Sequence, residues 1–108
     1  MTKFTRNRNL NYAKMPKDLL PGTTSNIDGF ILHQTCSACP EQYDVYKNKR
    51  RVGYLRLRHG FFTAEFPWCG GECVYEAEPN GDGRFDENER DFHLKLAIEA
   101  IKQKLNAS

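Results

Sequence analysis

No run in this 108-residue chain approaches the ~18 consecutive apolar residues that a membrane-spanning helix requires. The N-terminal stretch MTKFTRNRNLNYAK is positively charged but has no apolar h-region, so it does not read as a secretory signal. The chain also lacks a G-x-x-x-x-G-K-S/T phosphate loop, a G-x-S-x-G elbow and an H-E-x-x-H zinc helix. The H-x-E with P-C-x-x-C pattern of zinc deaminases is missing too. Apolar residues are scarce, with a mean hydropathy of −0.73, so any core has to be compact. A single domain is expected at this length, one that buries roughly 60–70% of its unfolded surface. The reading is a cytoplasmic protein with no membrane partner. In a reducing compartment its four cysteines point to metal or free thiols before disulfides.

Charge is present but segregated. The net charge is +2. Residues 1–26 hold five basic side chains (Lys3, Arg6, Arg8, Lys14 and Lys17) against Asp18 alone. Residues 47–58 hold six more and no acid, whereas residues 72–91 hold eight acids and two arginines. Such a dipolar chain either steers a charged partner or pairs its own blocks within the fold.

Residues 1–26 read as a poorly ordered basic arm, broken by Pro16, Pro21 and Gly22, with a short helix conceivable near 16–20. Residues 27–108 read as one α+β domain. After the Asp28-Gly29 turn signal, Phe30–Thr35 reads as a strand. Tyr43–Lys47, Val52–Arg58, Phe61–Phe66 and the short Cys73–Ala77 follow as strands, giving a small antiparallel sheet of about four. Pairing across His59-Gly60 sets Leu57 opposite Phe62 and Leu55 opposite Ala64. The period of two then places Leu55, Leu57, Phe62, Ala64 and Phe66 on a core face. Tyr54, Arg56, Arg58, Phe61, Thr63 and Glu65 fall on the other face. A three-residue turn at Asn48–Arg50 would send Tyr43 and Val45 to the core, and a two-residue turn would invert them. Asp86 and Glu89 fit a capping box. The stripe Leu94, Ala97, Ile98, Ile101 and Leu105 predicts a C-terminal helix over the core face, widened by Phe92, Leu96 and Ala100.

Three constellations could carry chemistry. Cys36-x-x-Cys39 and Cys69-x-x-x-Cys73 stand 29 residues apart. Zinc takes four thiolates at the corners of a tetrahedron, so Cys36, Cys39, Cys69 and Cys73 form a candidate structural site, closed and therefore scaffolding. Free thiols are the alternative. The CSACP run also fits a redox motif, but that chemistry needs a following helix and a strand-like YDVYK stands there. Second, residues 78–89 can be laid on a twelve-residue calcium loop, with Asn80, Asp82, Asp86 and Glu89 as ligands. Glu78 stands where Asp is usual, and a glycine-rich turn into the helix cap explains the same residues without an ion. Third, Tyr54, Arg56, Arg58 and Phe61 alternate arginine and aromatic side chains on one sheet face. That pattern suits a protein or nucleic-acid partner.

The sequence therefore favours a non-enzymatic binding module, zinc-stapled, that engages a protein partner through its charged sheet face and basic arm. A nucleic-acid-binding module on Tyr54, Arg56, Arg58 and Phe61 is the alternative, although the pI of about 8.4 is below the range above 9 typical of such domains. A small thiol-dependent enzyme, using a cysteine–histidine pair assembled in space, is the third reading.

Overall fold

The structure, a computed structural model, describes residues 12–20 and 22–107. Lys3, Arg6 and Arg8 of the expected arm lie outside the described residues. The central hairpin is β4 (Arg50–Arg58) and β5 (Phe61–Phe66). Its register is the one the two-residue turn dictates: Arg58 faces Phe61, Leu57 faces Phe62, Arg56 faces Thr63, Leu55 faces Ala64 and Tyr54 faces Glu65. Both turn residues have left-handed backbone, φ 54° at His59 and 74° at Gly60, which matches the twist of the paired strands.

Around this hairpin stand β1 (Thr24–Ile27), β2 (Phe30–Ser37), β3 (Glu41–Lys47) and β6 (Glu72–Ala77). Among the described residues the six strands form one antiparallel sheet in the order β1-β2-β3-β4-β5-β6. Six replaces the expected sheet of about four: the five segments read as strands are all present, and the added one is β1, whose Thr24–Asn26 part lies in the segment read as arm. Thr-Ser-Asn-Ile is too short and too exposed to show periodicity. The signal for it was Asp28-Gly29, which is a complete hairpin turn and not only the start of β2. Residues 16–20 form no helix. Instead Ala13 and Met15 exchange backbone hydrogen bonds with Arg51 and Lys49 (2.7 and 2.9 Å). They run beside the part of β4 that β5 does not reach.

The turn between β3 and β4 has two residues, Asn48 and Lys49, both left-handed. By itself it would point Tyr43 and Val45 away from the core. A bulge at Val52 reverses this: Tyr46 faces Arg51, but Val45 faces Gly53 and Tyr43 faces Leu55. One extra residue on β4 shifts the side-chain alternation back. Tyr43 and Val45 are consequently buried with Leu55, Leu57, Phe62, Ala64 and Phe66. Tyr46, on the opposite face, is nonetheless only 3% exposed.

The C-terminal helix α1 (Glu87–Ala107) lies over β4, β5 and β6, burying Leu94, Ala97, Ile98 and Ile101. Phe92 and Leu96 do not widen this stripe; Phe92 is 62% exposed. Leu96 follows Leu94 by two residues, about 200° around the helix, and so faces away. Gly53 permits the helix to approach, because a Cβ there would sit 2.5 Å from Ile101 Cδ1. Among the described residues no helix is long and apolar enough to cross a membrane.

Glu89 fastens the start of α1. Its carboxylate accepts hydrogen bonds from the backbone N–H groups of Asn80, Gly81 and Asp86 at 2.8, 2.9 and 3.0 Å. Partial desolvation raises its pKa, but these three N–H groups outweigh it and hold the carboxyl below its ordinary value. A depressed folded pKa means the stabilisation is present above the unfolded value, about 4.3, and fades as pH falls through the folded one. Glu89→Ala is expected to cost about 1–2 kcal/mol near neutrality, as losses of helix caps do. Urea melts across the acid range should show the gap between variant and parent closing as pH drops.

Candidate functional site

The four cysteines are free thiols. Cys36 stands on β2 opposite Gln42, and Cys73 stands on β6 opposite Glu65. Four strand spacings separate β2 from β6, on the order of 19 Å. The sheet therefore holds the two pairs apart instead of bringing them to one point. Burial, together with the carboxylates of Glu76 and Glu65, pushes the Cys73 thiol up. Cys39 has other company. It lines a cleft of about 300 Å³ with Arg58, His59, Asp82 and Gly83. Three turns meet there through backbone hydrogen bonds, Cys39 N–H to Gly83 (2.8 Å) and Gly60 N–H to Asp82 (2.6 Å). A cysteine and a histidine thus share a cleft that no linear motif announces.

Of the candidate calcium ligands Asn80, Asp82, Asp86 and Glu89, Glu89 has a different employment. Both carboxylate oxygens of Glu89 accept backbone N–H groups, and the Asp82 carbonyl accepts Gly60 N–H. Among the described residues no group of three or more His, Cys, Asp or Glu side chains is placed to hold a metal ion.

Tyr54, Arg56, Arg58 and Phe61 do share the sheet face opposite α1. Phe61 is 42% exposed and Arg58 is exposed, whereas Tyr54 and Arg56 are half-buried. The Tyr54 hydroxyl donates to Gln42 Oε1 at 2.9 Å, and burial raises its pKa. The bulge at Val52 sets Arg56 opposite Gln42 and Asp44 opposite Tyr54, so Asp44 and Glu65 flank Tyr54 and temper the positive charge of this face.

A concentration of positive charge lies at the other end of β4. The docked arm and the β3–β4 turn enclose a groove of about 540 Å³. Lys14, Lys17, Lys49 and Arg50 line it with Met15 and Pro16, and no carboxylate is among the described residues of its wall. Sequence reading found these cations but not their meeting, which depends on the arm running back along β4.

Comparison with protein-family models, with curated proteins and with solved structures finds no match to this chain. One buried cluster has no signature in the sequence. Glu41 is fully buried, at 0% exposure. Its Oε2 accepts Arg90 Nε–H at 2.7 Å and the Tyr43 hydroxyl at 2.5 Å. Its Oε1 accepts Phe85 N–H at 2.8 Å and Arg90 Nη2–H at 3.2 Å. Gln34 Nε2 in turn donates to the Tyr43 hydroxyl at 3.2 Å. Desolvation and the Glu41 hydrogen bond push the Tyr43 hydroxyl far above a phenol's usual value. The same carboxylate holds Arg90 above the ordinary guanidinium range. Glu41 and Arg90 are 49 residues apart, and no local pattern links them.

Proposed function

We propose that the protein is a binding module whose basic groove receives an acidic, extended segment of a protein partner. The observation that carries this reading is the groove itself, with four cations and no carboxylate among its described lining residues. A cleft lined by one sign of charge concentrates field lines and raises the encounter rate with an oppositely charged partner. Met15 and Pro16 add apolar wall for the stems of the partner's side chains. Arg56 and Arg58 extend the positive charge along the same strand. A nucleic acid is the less favoured occupant because base stacking needs open aromatic faces. Phe61 stands on β5 opposite Arg58, at the end of the hairpin away from the groove, and Tyr54 is half-buried.

Fluorescence anisotropy with an aspartate- and glutamate-rich peptide tests the reading, and a labelled single-stranded oligonucleotide is the comparison. The peptide should bind, and its affinity should fall as salt rises. Lys14→Glu combined with Arg50→Glu should weaken it at least about tenfold, or ~1.4 kcal/mol. An oligonucleotide bound more tightly than the peptide, and weakened by Arg56→Ala with Arg58→Ala, would transfer the function to nucleic acid. Peptide affinity indifferent to the groove substitutions would sink the proposal.

A further inference from the structure

A second cavity, of about 280 Å³, opens on the helix side of the sheet beside β1 and β2, away from the basic groove. Arg84 and Arg90 line it, with Gln34 and Tyr43 from neighbouring strands and the hydroxyls of Ser25 and Ser37. Among its described lining residues there is no carboxylate. Apart from Tyr43, whose hydroxyl proton goes to Glu41, every polar side chain named can donate a hydrogen bond to a ligand. The volume is near the lower end for small-molecule sites.

The buried carboxylate holds Arg90 in this wall. Glu41 takes Arg90 through Nε and Nη2, and Nη2 also approaches the Phe85 carbonyl at 3.3 Å. That leaves Nη1, whose sole partner shown is the Glu87 carboxylate at 2.6 Å. The other oxygen of Glu87 reaches Arg84 Nη2 at 3.3 Å. Glu87 is therefore a carboxylate bridging two guanidinium groups, yet its side chain is 75% exposed and Arg84 is 60% exposed. A side chain so placed can swing into solvent while Glu41 keeps Arg90 where it is.

We propose that this cavity binds a compact molecule bearing a phosphate or carboxylate group, which displaces Glu87 from Arg84 and Arg90. With Arg90 held from behind by Glu41, an oxyanion can take Arg90 Nη1 and Arg84 Nη2 together, one guanidinium on each side, as the Glu87 carboxylate does. Gln34 and the serine hydroxyls would then hold the remainder of the ligand. The site shares no residue with the basic groove, so either can fail without the other.

NMR titration of the full chain tests it, with inorganic phosphate in one arm and succinate in the other. Saturable shifts in the millimolar range are expected at Ser25, Gln34 and Arg90 Nε, and the stronger arm identifies the ligand class. Glu87→Gln removes the internal competitor and should tighten binding several-fold, an effect that a purely structural ion pair would not produce. Arg84→Met should weaken binding about tenfold. Arg84 is exposed, and an otherwise unchanged amide spectrum will show that the variant is folded. Absence of saturable shifts in both arms, or an affinity unchanged in Glu87→Gln and Arg84→Met alike, overturns the proposal.

Discussion

Arg90→Met is expected to destabilise the protein by about 3–5 kcal/mol, the cost typical of breaking a buried ion pair from one side. Removing the guanidinium leaves the Glu41 carboxylate inside the fold, at 0% exposure, with only Tyr43 and Phe85 as partners. Desolvation of an ion is tolerable when its charge and lone pairs are matched, and Arg90 supplies most of that match here. The penalty belongs to the orphaned carboxylate and not to the intrinsic worth of the pair. Glu41→Gln added to Arg90→Met should therefore recover at least half of the loss. The amide removes the charge yet can still accept from Phe85 N–H. Urea unfolding of the two variants and the parent measures this directly. A double variant as unstable as Arg90→Met would show that Arg90 acts through its packing.

Phe62→Ala carries the other large expectation, about 3–5 kcal/mol. Phe62 is fully buried. Its ring meets Phe85 edge-on at 4.9 Å, with Tyr75 at 5.9 Å and His93 at 6.1 Å. The sheet behind it and α1 above it limit how far the neighbours can close a cavity, which places the loss toward the upper part of that range. The adjacent Phe61→Ala should cost at most about 1 kcal/mol, because a partly exposed ring on the opposite face loses far less contact. The contrast between consecutive phenylalanines tests the β4–β5 register itself. Equal losses at the two positions would mean that the alternation is wrong.

That register was legible because its determinants are local. A two-residue turn sets the pairing from Arg58–Phe61 onward, and the period of two sorts each side chain to a face. The capping residues and the Leu94-to-Ile101 stripe of α1 are local in the same way. Tyr43 was not legible to the same degree. Its face depends on a turn and on a bulge at Val52 whose effects cancel, and only the sum of the two decides it. Phe92 and Leu96 were misplaced by counting apolar residues without their helical angle. The metal-ligand spacing of the cysteines was visible in the sequence, but spacing along the chain does not say that β2 and β6 stand four strands apart.

By itself the sequence determined the α+β class, the hairpin that carries the core face, and the helix that covers it. Each follows from interactions between residues a few positions apart, where backbone periodicity leaves little choice. Tertiary structure alone decided the working features. The groove exists because Ala13–Met15 returns to β4, and the donor-lined cavity exists because Arg90 reaches Glu41 across the fold. Each joins groups that are distant in sequence, and their meeting depends on how the sheet is ordered, bulged and crossed by α1.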